Sequence, residues 1–147
     1  MAVTIRRAEQ RDRDAIARCL TALGYPASPT LVGGKLASLE TSSADTAFVG
    51  VDPSAGVVGV VSVHVLPLFH APGNLARVTA LVVLKSHRGG GIGRALMAAA
   101  ETFAWEHECQ RVEVTSGDHR EEAHAFYVRL GYQVDERRFL KHRAAAV

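Results

Sequence analysis

Ile16, Cys19, Leu20 and Leu23 recur at helical spacing, which predicts an amphipathic helix over 11–23, stopped by Gly24 and Pro26. A second helix is expected after Ser28–Pro29, running through Leu31, Leu36 and Leu39 and weakened by Gly33–Gly34. Residues 3–6 read as a short opening strand. The β-branched runs 46–51, 57–66 and 76–84 read as longer ones, with Asp52-Pro53-Ser54 a turn and 67–74 a loop. An alanine-rich helix is predicted over 92–107, and a strand over 111–116 with Val112 and Val114 on one face. Residues 121–130 form a further helix closed by Gly131, and 132–141 finish with one or two short strands. The order β, α, α, β, β, β, α, β, α, β predicts an α/β fold, with a mixed sheet and helices on both faces.

Composition narrows the class. The 147 residues suit one domain over 1–147, and 48% apolar with 22% charged residues is an ordinary folded composition, so disorder is not expected. A net charge of +2 with no basic run argues against nucleic acid as the partner. Cys19 and Cys109 have neither metal-ligand nor framework spacing, which predicts reduced thiols, no metal and a cytoplasmic protein. The charged opening predicts no secretory leader. The most apolar run, 57–65, contains Gly59, Ser62 and His64 and is too short to span a bilayer, so no membrane partner is expected.

The most informative stretch follows the third long strand: Leu81-Val82-Val83-Leu84-Lys85-Ser86-His87-Arg88-Gly89-Gly90-Gly91-Ile92-Gly93-Arg94. It sets a strand, a basic turn, four glycines and a helix start in succession. Unbonded amides at a helix N-terminus attract anions, and glycines let phosphate oxygens approach the backbone. Arg88 and Arg94 add charge-assisted donors. A Walker A loop is excluded, because the one Gly-Lys pair, Gly34–Lys35, is followed by Leu36. A dinucleotide fingerprint fits poorly, because Gly91-Ile92-Gly93-Arg94-Ala95-Leu96 ends on leucine.

Arg88-Gly89-Gly90-Gly91-Ile92-Gly93 matches the pattern [QR]xxGx[GA] and resembles the pyrophosphate loop of the GNAT superfamily of N-acetyltransferases. A second segment, Ala123-His124-Ala125-Phe126-Tyr127-Val128-Arg129-Leu130-Gly131-Tyr132, resembles the family's AxxFYxxxGF or GY helix. The C-terminal half, including Thr115 to Tyr127 and Arg138-Phe139-Leu140-Lys141, is similar to the aminoalkylphosphonate and aminoglycoside-type acetyltransferase branch. The N-terminal half matches in element order alone. The resemblance implies the GNAT fold with a partly splayed sheet, and acetyl-CoA as acetyl donor. It further implies cofactor contacts at Leu81, Val82, Val83, Arg88, Gly89, Gly90, Gly91, Ile92, Gly93, Arg94, Ser116 and Ala123. It implies that backbone groups of Leu81 and Val83 pair with the pantetheine arm as an added strand would.

Expulsion of a thiolate needs a proton, and a phenol with pKa about 10 stays protonated at neutral pH. By position in the motif that acid is Tyr127, whereas Phe126 and Leu130 read as the apolar stripe of their helix. An alkyl ammonium must also lose a proton before it attacks. Many relatives carry Glu or His two or four residues before the position of Leu81, where this chain has Thr79 and Arg77. The base is therefore open among His64, His70, His119 and water. Each histidine also has a plain alternative: a hydrogen-bonded strand residue for His64, loop or surface polarity for the others. Arg77 reads either as a recogniser of an anionic acceptor or as one half of a salt bridge.

The expectation is an acetyl-CoA-dependent N-acetyltransferase acting on a small-molecule amine by direct attack. The alternatives are a protein N-terminal or lysine acetyltransferase, and a non-catalytic acyl-CoA-binding sensor. A homodimer is expected, because strands after Gly131 offer free pairing edges.

Overall fold

The computed structural model describes residues 2–115, 121–135 and 138–144. The chain divides into two compact units, residues 1–115 and 116–147.

The first unit holds the whole sheet. Strand β1 (Thr4–Arg7) leads through a short 3₁₀ turn into α1 (Arg13–Leu23), then α2 (Pro29–Glu40), β2 (Asp45–Asp52), β3 (Gly56–Pro67) and β4 (Asn74–Val83). A second 3₁₀ turn (Lys85–His87) precedes α3 (Ile92–Glu106), and β5 (Cys109–Val114) ends the unit. The five strands lie in sequence order, antiparallel from β1 to β4, with β5 parallel to β4. The fold is therefore α/β with a mixed, open sheet.

Local chemistry explains the helix ends. Gly24, at φ +105°, closes α1 as Tyr25 N–H reaches back to Leu20 O and Gly24 N–H to Thr21 O. Ser28 caps α2 by accepting the Leu31 amide at 3.1 Å, with Pro29 at the first helical position. Gly33 does not interrupt that helix. A Cβ there would lie 3.2 Å from Arg13 Cδ, and its carbonyl accepts from Gln10 Nε2 at 2.7 Å, so it lets the segment before α1 pack closely.

Alternation along the strands sorts the two faces. Val49, Val60 and Val82 are register partners and pack with Ile16, Ala17, Cys19, Val32 and Leu36, so α1 and α2 cover that face. The opposite face carries Gly50 paired with Gly59, and α3 lies on it. A Cβ on Gly59 would fall 2.9 Å from Val82 O and 3.0 Å from Leu96 Cδ1; one on Gly50 would fall 3.1 Å from Ile92 Cγ2. This glycine pair lets the first turns of α3 seat directly on the sheet. Ile92, Leu96, Met97, Ala100, Phe103 and Ala104 are its buried stripe. Each large apolar side chain there contributes about 1.5–3 kcal/mol.

In the second unit, α4 (Glu121–Arg129) ends in a Schellman arrangement. Tyr132 N–H donates to Tyr127 O at 3.0 Å and Gly131 N–H to Val128 O at 3.0 Å, with Gly131 at φ +95°. The strands expected over 132–141 differ from what is observed, since the described residues of that stretch carry no strand. Val134, Phe139 and Leu140 are exposed there. Apolar residues with β propensity make a strand only where a ladder partner accepts their backbone groups, and the run Asp135 to Arg138 interrupts the apolar pattern. Residues 145–147 of the alanine tail lie outside the described residues.

Candidate active site

The glycine-rich turn follows β4 directly and opens α3. Gly89 and Gly91 both sit at φ +86°, a backbone conformation that costs other residues roughly 1–2 kcal/mol. A Cβ on either would point into open space. The first-turn amides of α3, Ile92 to Arg94, have no acceptor among the described residues, no side chain caps the helix, and its first turn carries no acid. Among the described residues no carboxylate pairs with Arg88 or Arg94. This surface of free donors and positive charge suits an anion. An open depression lies against it, lined by Ser86, His87, Arg88, Gly90, Gly91 and Ile92.

The preceding turn is pinned from below. His87 Nε2 lies 3.0 Å from Asp52 Oδ2, and Asp52 Oδ1 accepts the Ser54 amide at 2.8 Å. The Ser54 amide first, with the Ala55 amide and His87, holds the Asp52 carboxyl below its ordinary range. The β2–β3 hairpin turn thus braces the base of the loop.

Beside the loop, β4 has an open edge. Its pairing with β5 runs from Asn74↔Cys109 to Val78↔Val114 and stops, while β4 continues to Val83. No strand among the described residues of the first unit pairs with residues 79–83 on that side. Leu84 N–H donates to Val58 O at 2.8 Å. By antiparallel alternation Leu81 and Val83, opposite Val61 and Gly59, then turn their own N–H and C=O away from β3 and into the opening. Arg88 Nε confirms the direction by donating to Val83 O at 2.9 Å. A bulge interrupts the β3–β4 ladder between Ser62 and Val63, and the extra residue in β4 is Thr79.

On the α1/α2 face the structure gathers a polar chain. Ser42 Oγ donates to Asp45 Oδ2 at 2.6 Å, and Asp45 Oδ1 lies 2.8 Å from His64 Nδ1. His64 Nε2 lies 2.8 Å from Thr79 Oγ1, which lies 2.7 Å from Ser62 Oγ. The Ser42 hydroxyl foremost, with the His64 ring, holds Asp45 below its ordinary value against the opposing effect of burial. The His64 side chain is 28% exposed. It is therefore hydrogen-bonded, as its plain alternative had it, and also open to solvent.

Arg77 is one half of an ion pair. Its Nη2 lies 2.7 Å from Glu113 Oε1, and Arg111 Nε lies 2.8 Å from Oε2. These guanidiniums, Arg77 first, hold Glu113 below its ordinary value. His70 is exposed in the loop after β3. Ser116 and His119 lie outside the described residues. Within the second unit Tyr127 is half-buried, and its ring meets Phe126 edge-on at 5.2 Å and Tyr132 at 5.8 Å; Ala123 lies on the same helix. Among the described residues no three His, Cys, Asp or Glu gather as a metal site, and no helix is long and apolar enough to cross a membrane.

The Acetyltransferase (GNAT) family model matches residues 15–132. The chain belongs to that family. It is 36% identical over 85 residues to an aminoalkylphosphonate N-acetyltransferase of Salmonella typhimurium strain LT2, a match covering 58% of this chain and 55% of that protein. The matched stretch thus spans about half the length of that relative. Among solved structures, a transcriptional regulator from Bacillus halodurans C-125 superposes with a TM-score of 0.85 at 21% identity, covering 96% of this chain and 99% of that one. Glucosamine-6-phosphate N-acetyltransferase from Arabidopsis thaliana gives 0.85 at 16% identity, covering 97% and 99%. At these identities the likeness establishes the GNAT fold. The Asp45–His64–Thr79 chain escaped the sequence reading, because its members lie 19 and 15 residues apart and no motif joins them.

Proposed function

We propose that this chain transfers the acetyl group of acetyl-CoA to the primary amine of a small molecule, by direct attack of the amine on the thioester. The observation that carries this is the meeting of two features on one strand end. The open backbone edge at Leu81 and Val83 leads through the glycine turn to the free first-turn amides of α3, Ile92 to Arg94. An elongated ligand with an amide-bearing arm and a pyrophosphate fits both, the arm as an added strand and the phosphates on the helix terminus. Leu81 and Val83 hold the arm, Arg88 to Arg94 the pyrophosphate, and Ser116 and Ala123 complete the cofactor contacts; Val82, expected from the sequence to join them, is 2% exposed and turns its backbone to β3, so it packs in the core between the two. Bound acetyl-CoA supplies the activated acetyl group. Backbone amides near Val83 polarise its carbonyl, and Tyr127 protonates the departing thiolate.

The curated relative's name supports small amines, and aminoalkylphosphonates are the first acceptors to test. The family match crosses the boundary between the two units, which supports one acetyltransferase domain over 1–147. A cytoplasmic homodimer is the proposed setting, with the exposed Phe139 and Leu140 as candidate contact residues. The test is calorimetric titration with acetyl-CoA against NADH and ATP, followed by thiol release with a panel of 2-aminoethylphosphonate, plain alkylamines and lysine peptides. Micromolar binding of acetyl-CoA alone, and release with a small amine, support the reading. Binding of a control nucleotide instead overturns it, and release with peptides alone reassigns the acceptor.

A further inference from the structure

The general base was open in the sequence, and the fold assembles a candidate from three strands. We propose that Thr79, His64 and Asp45 form a proton relay that deprotonates the acceptor amine, with Thr79 touching the amine and His64 receiving the proton. The proposal rests on the acetyl-transfer reading of the same site.

The hydrogen-bond directions follow from the chemistry of the end group. An ionised carboxylate only accepts, so Asp45 fixes the proton of neutral His64 on Nδ1 and leaves Nε2 as an acceptor. The Thr79 hydroxyl at 2.8 Å then donates to Nε2. Its oxygen has room for two incoming protons. Ser62 supplies one at 2.7 Å, and the second position is open to a substrate N–H. The relay therefore points outward, from Thr79 through His64 to Asp45.

Its location matches the need. Thr79 is exposed and is the bulge residue of β4, two residues before Leu81, a rise of about 7 Å along a strand. The bulge turns its hydroxyl onto the face of Ser62 and His64, while the backbone of Leu81 and Val83 faces the open edge. An amine arriving from the α1/α2 side thus meets Thr79 next to a thioester held along that edge.

The other charged groups near this point are poor bases. Beside His64 the register places Asp45 on β2 and Arg77 on β4, and Arg77 is held by Glu113. Glu113 carries two guanidiniums and is stabilised as the anion. No ion pair from α1 or α2 reaches His64 among the described residues.

An ammonium proton passes to Thr79 Oγ1 as the Thr79 proton passes to His64 Nε2, and the imidazolium faces Asp45. The nitrogen lone pair forms the C–N bond at the thioester carbonyl, and collapse breaks the C–S bond. Of the three ammonium protons, one leaves through His64 to solvent and one remains on the amide. The third leaves the nitrogen to solvent as the tetrahedral intermediate collapses, and solvent returns a proton to Tyr127 for the one it gives the thiolate.

The experiment compares wild type with Thr79→Val, Thr79→Ser, His64→Gln and His64→Ala, using acetyl-CoA and the best amine of the panel above. Expected are losses in kcat/KM of about 10²-fold for Thr79→Val and His64→Gln, with acetyl-CoA affinity and Tm close to wild type. Thr79→Ser should recover at least tenfold over Thr79→Val. In His64→Gln the rate should rise with pH without the wild-type break, and added imidazole should restore part of the rate in His64→Ala. Wild-type rate and pH profile in both Thr79→Val and His64→Gln overturn the relay while leaving acetyl transfer standing. An effect of His64→Gln without one of Thr79→Val overturns the Thr79 step. A wild-type protein that transfers acetyl to no amine overturns both readings.

Discussion

Replacing Gly59 by alanine tests how the glycine loop is held in place. Filling an open position with a methyl group gains about 0.8 kcal/mol of burial, and removing a glycine restricts the unfolded chain by about 0.4–1 kcal/mol. Without a clash, Gly59→Ala would therefore stabilise. The new Cβ instead falls 2.9 Å from Val82 O and 3.0 Å from Leu96 Cδ1, with Ile92 Cγ2 at 3.5 Å. The carbonyl belongs to a paired strand and cannot retreat without opening the ladder, so the strain goes to α3. Overpacking of this kind costs about 1–3 kcal/mol. At this chain length that corresponds to a fall in Tm of about 3–10 °C. Because Ile92 is the first residue of α3, acetyl-CoA affinity should fall with it. Gly34→Ala is the matched control: its Cβ meets nothing within 4 Å on an exposed helix face. It should gain about 0.5–1 kcal/mol and leave affinity unchanged. Thermal unfolding and calorimetric titration read both. A Gly59→Ala protein as stable as wild type, or more so, would refute the close seating of α3 on the sheet.

Arg88→Ala removes a charge-assisted donor worth about 1.5–3 kcal/mol, so acetyl-CoA binding should weaken about 10–100-fold with little change in Tm, read by calorimetry. Tyr127→Phe should lower kcat by about 10²-fold and leave the dissociation constant for acetyl-CoA within about twofold; equal turnover would remove Tyr127 from the mechanism. For pH, burial pushes the Asp12 carboxyl up, but Arg6 at 2.8 and 2.9 Å, the Glu9 amide and Arg11 outweigh it and hold it below its ordinary value. A depressed carboxyl contributes stability that is complete above its unfolded value, about 4, and is lost as pH falls through the folded one. Tm should therefore hold level above about pH 5 and drop in more acid solution. Asp12→Asn should cost about 1–3 kcal/mol at pH 7 and flatten that acid dependence.

Much of the fold was legible because its signals are local. Helix periodicity and the chain stops at Gly24 and Gly131 placed α1, α3 and α4 to within one or two residues at most ends. The β-branched runs placed β2, β3 and β4. The glycine loop was legible for the same reason, since positive φ and exposed helix amides are properties of a few consecutive residues. The strands expected over 132–141 are absent from the described residues because β propensity carries no information about a partner.

The sequence by itself thus determined most of the elements, the glycine turn that opens α3 and the family. Tertiary structure decided where β4 parts from β5, so that Leu81 and Val83 face an opening. It decided that Arg77 meets Glu113, and that Asp45, His64 and Thr79 converge from three strands. It also decided that Gly50 and Gly59 serve the seating of α3. Register and sheet order set these pairings, and both are fixed by the burial of whole faces rather than by any short run of residues.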